Sequence, residues 1–322
     1  MLRSHPWPGL LLVAGMLSAL AHSQSLEPPA WAYPVNPPGA KPAPDDGKPR
    51  NVPGSKQSFL LSQTRDLFFA PDWHPDDHPP MPPIVARGRR PDVMACGVCH
   101  RASGPGGPEN ANLSGLPFDY IVQQMRDYRS GARTTALPER LPQKFMISNA
   151  KSITDEEIRE AAAYFSAIRP HQNIRVVETT TIPKPVVFNW TWTDPKTGQS
   201  EPLGARIIEV PEHLEEFELR DARATFIAYV PSGSLKRGEA LVTGKLPDRT
   251  IACETCHGKD LRGLTIAPPI AGRSASYAMR QLHEFKAGIR TNANAALMKP
   301  VVEKLSVEDM MAIVAYLASL SP

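Results

Sequence analysis

Cys96-Gly97-Val98-Cys99-His100 and Cys253-Glu254-Thr255-Cys256-His257 hold all four cysteines of the 322-residue chain. Each is a C-x-x-C-H pentapeptide, the signature of covalent c-type haem attachment. One helical turn sets both thiols along a porphyrin edge, where each adds to a vinyl group, and the adjacent imidazole is delivered beneath the ring to the iron. A thioredoxin-like redox pair or half of a zinc site would leave the following histidine unexplained in both copies. The sequence therefore predicts two covalently attached haem c groups, bound by Cys96, Cys99, Cys253 and Cys256, with His100 and His257 as iron ligands.

The likeness continues past the motifs. Tyr120, Gln124, Gly131, Arg133 and Thr134 match Tyr277, Gln281, Gly288, Arg290 and Thr291 at a constant offset of 157 positions. Met125 with Leu282 and Tyr128 with Phe285 extend the pattern, whose apolar members share one helical face that Gly131 or Gly288 stops. Further on the offset becomes 152, pairing Met146 with Met298 and Tyr164 with Tyr316. Thr154-x-x-Glu157 and Ser306-x-x-Asp309 read as helix N-terminal caps. Behind them Ile158, Ala161, Ala162, Phe165 and Ile168 form one apolar stripe, and Val307, Met310, Val314 and Leu317 another. Each copy thus predicts a helix at the motif, a middle helix, a loop with one Met, and a final helix.

Each half resembles a class I cytochrome c domain, and the tandem resembles the bacterial dihaem cytochromes c. The resemblance covers roughly residues 86–170 and 234–321. It implies a Met on the loop before the last helix as sixth iron ligand, a place held by Met146 and Met298. It also implies a Pro carbonyl that accepts the proximal His N–H; Pro268 fits in the second copy, whereas Ala111 stands there in the first. Arg133 and Arg290, just after the middle helices, suit haem propionates, because guanidinium binds carboxylate bidentately. His283 is read as surface or packing, and His171 and His213 fall outside both units.

The fold expected is mainly α: two cytochrome c-like helical domains joined by a β-rich or extended connector, with a Pro-rich N-terminal arm. Residues 1–23 read as a signal peptide, with Arg3 ahead of the apolar run Leu10 to Leu20, a run short of the ~20 residues that span a bilayer. The chain is accordingly expected in the periplasm rather than held by an uncleaved membrane anchor. Residues 24–83 form the arm, and from Glu27 to Val52 closely spaced prolines rule out regular helix or central strand. Within it Trp73, His74 and His78 suggest a polar loop packed over a domain, or a ligand arriving from outside. Domain 1 is 84–170, the connector 171–233, and domain 2 234–322. In the connector, β-rich stretches such as Val186 to Trp192 and Thr225 to Val230 alternate with turn signals, and Glu212, Glu215, Glu216 and Glu218 read as a solvated face.

A formal charge of +3, from 36 basic and 33 acidic side chains without a basic run, gives no nucleic-acid surface. Iron held by His and Met has no open position, so the expected function is single-electron transfer between a redox protein donor and acceptor. Two other readings stand beside it. The chain is an electron-accepting subunit of a periplasmic dehydrogenase or membrane complex, or it is a dihaem enzyme such as a peroxidase, with His74 or His78 making the first iron switchable.

Overall fold

The computed structural model describes residues 27–264 and 267–322, so the expected signal peptide lies outside the described residues. After a 3-10 turn at Ala30–Ala32 the chain runs mostly without regular structure to α1 (Leu61–Arg65) and α2 (Pro83–Ala86). The first unit continues with α3 (Cys96–His100), α4 (Phe118–Ser130), α5 (Leu141–Ser152) and α6 (Asp155–Ala167). The connector supplies β1 (Ile174–Glu178), β2 (Thr181–Pro183), β3 (Val186–Phe188), β4 (Thr191–Thr193), β5 (Ser200–Pro202), β6 (Ile208–Pro211), α7 (Leu214–Glu218) and β7 (Phe226–Val230). The second unit consists of α8 (Ser234–Val242), α9 (Glu254–His257), α10 (Ala275–Lys286), α11 (Ala293–Ala296), α12 (Lys299–Val302) and α13 (Val307–Ser319). Two helical units joined by a β-rich connector are therefore the architecture.

The local chemistry that starts and stops the helices acts as the sequence indicates. Thr154 and Ser306 each accept from the backbone N–H three residues on, while Glu157 and Asp309 accept in return, so both final helices begin on reciprocal caps. Gly131 and Gly288 take φ of 82° and 70° just past the middle helices, a conformation that a Cβ disfavours. In the first unit Ile121, Val122 and Met125 of α4 meet Ile158, Ala162 and Phe165 of α6. In the second, Met279 of α10 and Ile313, Val314 and Leu317 of α13 join a larger core that includes Leu241, Ile208 and Phe226.

Two elements differ from the sequence reading. Met146 sits inside α5 rather than on a loop, because Pro142 occupies the first turn of that helix, where its missing N–H costs nothing. Met298 does occupy a break, at the N-cap of α12 just beyond α11. The Pro-rich arm is extended in backbone over long stretches, yet it is packed: Trp31 and Tyr33 are buried in the second unit's core. His283 proves to be packing, fully buried with its ring 5.8 Å from that of Tyr33.

The connector builds a three-stranded sheet in the order β1-β7-β6, parallel between β1 and β7 and antiparallel between β7 and β6. Two small hairpin-like pairs, β2 with β5 and β3 with β4, complete it. It touches both units. Arg101 donates to Asp221 O and Arg220 donates to Val98 O at 2.8 Å on the first side, while Glu209 accepts from Ser274 Oγ and Ser276 N on the second. Along the acidic stretch Glu215 is exposed and Glu212 pairs with Arg175 at 2.7 Å.

Candidate haem-binding sites

In each unit the motif helix is one turn long and ends at the histidine, whose ring is then fixed from behind. His100 Nδ1–H donates to Ala111 O at 2.8 Å, and His257 Nδ1–H donates to Pro268 O at 2.7 Å. A carbonyl only accepts, so Nδ1 carries the proton and Nε2 keeps its lone pair for a metal. Burial pushes both imidazoles below the usual histidine range, although the carbonyl contacts oppose it, which favours the neutral ring. The alanine in the first copy therefore makes the same contact as the proline in the second. Burial also pushes the Cys96 thiol up to about 12 and the Cys253 thiol up to about 11, against a thiolate redox pair and compatible with thioether formation.

Both motifs line one continuous cavity of about 1030 Å³, and Met146 and Met298 line it too. Its apolar walls include Met125, Phe165, Leu282 and Val314. Where the units meet, the cavity is crossed by a polar ring with approximate twofold symmetry. Arg133 donates to Gln124 Oε1 at 2.8 Å, Gln281 Oε1 at 2.7 Å and Tyr277 OH at 3.0 Å. Arg290 donates to Gln124 Oε1 at 2.7 Å and Gln281 Oε1 at 3.2 Å. Backbone contacts close the same seam, with an antiparallel bridge between Arg133 and Arg290 and Thr291 N donating to Ala132 O at 2.8 Å.

The donor set fits two haem groups. The two imidazoles present a free Nε2, the cavity is apolar and large, and the buried Nε–H groups of Arg133, Arg273 and Arg290 have no acceptor in the protein. Buried donors require partners, and carboxylates entering the cavity supply them. The two arginines that the sequence assigns separately to the two halves are brought together here.

His74 and His78 are elsewhere, in the packed loop that was one reading of their segment and not at an iron site, the other reading. His74 Nε2 lies 3.1 Å from Asp221 Oδ1, and His78 sits between Asp72 Oδ1 at 3.2 Å and Tyr164 OH at 2.9 Å. Neither lines the cavity. The sequence reading missed Arg273 and the polar role of Tyr277, Gln124 and Gln281. Their recurrence was the available signal, but recurrence alone does not say which face of a helix meets the other unit.

A tandem of helical units, each with an attachment motif, a carbonyl-tethered histidine and a methionine on one cavity wall, defines a c-type cytochrome of class I architecture. Comparison with known proteins agrees. The cytochrome c family description matches residues 235–321. Cytochrome c-554(548) of Halomonas halodenitrificans is 41% identical over 73 residues, 22% of this chain and 88% of that protein. Cytochrome c4 of Azotobacter vinelandii is 28% identical over 234 residues, 71% of this chain and 85% of the relative. The thiosulfate dehydrogenase electron acceptor of Stutzerimonas stutzeri is 25% identical over 235 residues, 72% and 82% of the two chains. The chain belongs to the cytochrome c family. It is a dihaem class I cytochrome c with two covalently bound haem c groups, and an electron carrier.

Proposed function

We propose that this cytochrome carries single electrons in the periplasm through two His/Met-ligated haems. Cys96, Cys99, His100 and Met146 would hold the first, and Cys253, Cys256, His257 and Met298 would hold the second. The observation that carries this reading is the pair of histidines, each fixed through Nδ1 on a carbonyl and facing one cavity with one of the two methionines. The bound haems supply a reversible one-electron couple, raised in potential by a thioether ligand. The protein's part is positional. Ala111 O and Pro268 O set ring orientation and imidazole basicity, the apolar walls exclude water, and Arg133 and Arg290 neutralise the propionates at the seam.

The periplasmic assignment rests on the leader-like residues 1–23 and on haem attachment; no described helix is long and apolar enough to cross a membrane. The deciding experiment is the optical spectrum of the purified holoprotein, oxidised for the near-infrared Met-to-iron band and reduced with and without carbon monoxide. Two Met-ligated haems that ignore carbon monoxide are expected, and binding at either one overturns the ligand set. A narrower version, in which this chain accepts electrons from a dehydrogenase, is favoured by the similarity to a thiosulfate dehydrogenase electron acceptor. Stable co-purification with such an enzyme supports it, and a monomer that exchanges electrons freely with small carriers counts against it.

A further inference from the structure

The two carbonyls that orient the motif histidines are held by different means. Pro268 is followed by Pro269, and the two pyrrolidine rings stiffen the backbone that presents Pro268 O to His257. In the first unit the matching stretch reads Ala111-Asn112-Leu113-Ser114, without a ring, although Ala111 O has the same task at His100. The fit there is close, since a Cβ at Gly106 would collide with Ala111 O. A small shift of this loop therefore reaches the imidazole.

The first unit satisfies donors of the loop itself: Leu113 N donates to Gly104 O at 2.7 Å and Asn110 Nδ2 to Cys99 O at 3.1 Å. Three of the loop's carbonyls, on both sides of Ala111, are taken by the second unit. Arg273 donates through Nη1 to Asn112 O at 3.2 Å and through Nη2 to Ser114 O at 3.1 Å. Arg280 donates to Pro108 O at 2.5 Å, and its other terminal nitrogen to Ala32 O at 2.8 Å. Both arginines are buried. A planar, charged guanidinium holds two carbonyls in one fork, and charge-assisted hydrogen bonds are the strong kind. Arg273 has a firm base: Gly272 N donates to Leu317 O at 2.8 Å, and Ser274 caps α10 while donating to Glu209 Oε2 at 2.8 Å. The clamp runs one way. At the offset of 157 the counterparts of Arg273 and Arg280 are Leu116 and Gln123. Leu116 has no side-chain donor, and Gln123 donates to Asp127 of its own helix at 2.8 Å.

We infer that Arg273 and Arg280 of the second unit are positioning residues of the first haem site, clamping residues 108–114 so that Ala111 O stays on the His100 Nδ1–H. This rests on His100 as an iron ligand, as proposed above. The hydrogen bond to Ala111 O raises the basicity of the imidazole and so favours ferric iron. A slack loop weakens that bond and raises the potential of the first haem. The redox behaviour of the first unit is in this way tied to the seating of the second, and the reverse tie is missing at these two positions.

The test is solvent exchange of the Nδ1 proton of His100 and of His257, followed by NMR in the reduced holoprotein carrying isotope-labelled histidine, with the potential of each haem read from the same spectra. Arg273→Leu, matching the side chain the first unit has at this place, speeds exchange at His100 at least about ten-fold and at His257 less than about two-fold. Arg273→Lys keeps the cation but not the fork: exchange at His100 rises about three-fold or more, and the potential of the first haem goes up while that of the second stays. Arg280→Lys acts in the same direction. Both arginines belong to the second unit, so general loosening by their loss strikes His257 first. Equal acceleration at the two histidines, or an unaltered His100, overturns the proposal. So does a first-haem potential that drops in Arg273→Leu and keeps its value in Arg273→Lys, because that is a charge effect without positioning. The Lys variants retain charge and bulk, and they decide the matter if the Leu variant does not assemble. A wild-type His100 ring without haem-shifted signals removes the ligand assignment and the proposal with it, whereas a haem-shifted ring whose exchange ignores Arg273 removes the proposal alone.

Discussion

Between Ser234 and Val242 the second unit builds a two-turn helix, α8, that packs closely along α13. At the matching place in the first unit stand His78-Pro79-Pro80-Met81-Pro82-Pro83, and a single turn, α2, is all that forms. Successive prolines remove backbone donors and exclude helix, so the first unit cannot repeat the helix pair that opens and closes the second. It is completed from outside instead: the segment 67–86 covers the motif helix, and Trp73 is held by its Nε1–H to Leu219 O at 2.8 Å. The family description matches the second unit, where the whole helical frame is present. Two equal haem motifs can therefore be housed by unequal means, one by its own helices and one by borrowed chain.

The sharpest break of this comparison removes the attachment sites. Cys96→Ser with Cys99→Ser, and Cys253→Ser with Cys256→Ser, should each cut the covalent haem signal by about half. The consequences for the fold should differ. The second unit keeps a core of α8, α13 and the connector sheet, whereas the smaller core of the first unit gives Leu116, Ile121, Met125, Ile153, Ile158, Ala161 and Phe165 to the cavity wall. Amide exchange should show the first unit opening globally in the Cys96/Cys99 variant and the second unit retaining protected α13 amides in the other. Equal protection in both would end the argument for borrowed support.

Next in size is the loss of the proposed sixth ligand. Met146→Leu and Met298→Leu conserve volume, so the fold should survive while one iron of two opens. Each variant is expected to lose about half of the near-infrared Met-to-iron band, to bind carbon monoxide at one haem, and to lower the potential of that haem. Met146, inside a helix of 12 residues, and Met298, at a break between single turns, have different supports. A methionine whose replacement leaves the band intact is not a ligand.

The helix pair itself is tested at Gly238. A Cβ there would stand 2.0 Å from Ala312 O, a backbone atom that cannot swing aside. Gly238→Ala should cost about 3 kcal/mol in denaturant unfolding, near the upper end for overpacking. The first unit has no such crossing, so its own unfolding should be untouched.

Much of this was legible in the chain. The repeated motif, the periodic stripes of α4, α6 and α13 and the caps at Thr154 and Ser306 are local signals, and they specify both helical units. Met146 was read onto a loop because the repeat and the family resemblance put a methionine on the loop before the last helix, although Pro142 in the first turn starts a helix there. The burial of Trp31 and Tyr33, the cover over α3 and the ring of Arg133, Gln124, Arg290 and Gln281 join residues far apart in sequence, and no periodicity within one chain reports such contacts. Arg133 and Arg290 were each legible as cavity residues, but their meeting was not.

The smallest difference between the units is electrostatic and appears in acid. Burial pushes the Asp309 carboxyl up, but hydrogen bonds from Arg249, from the backbone of Ser306 and from Arg237 outweigh it and hold the group below the usual carboxylate range. At the corresponding cap Glu157 is also lowered, chiefly by Arg89, whose Nε lies 2.8 Å from it. A carboxylate with a lowered folded-state value contributes stability that is present above its unfolded value and lost as pH falls through the folded one. Both caps should therefore weaken below about pH 4, near the unfolded carboxylate values. Asp309 is fully buried and held by two arginines, whereas Glu157 is partly exposed beside one. Asp309→Asn should thus cost about 2 kcal/mol at pH 7 and Glu157→Gln less than about 1 kcal/mol, with both penalties fading toward pH 3 as the native carboxylates protonate. Penalties of equal size, or a penalty that grows in acid, would show that the second unit's cap does not carry the ion pairs assigned to it.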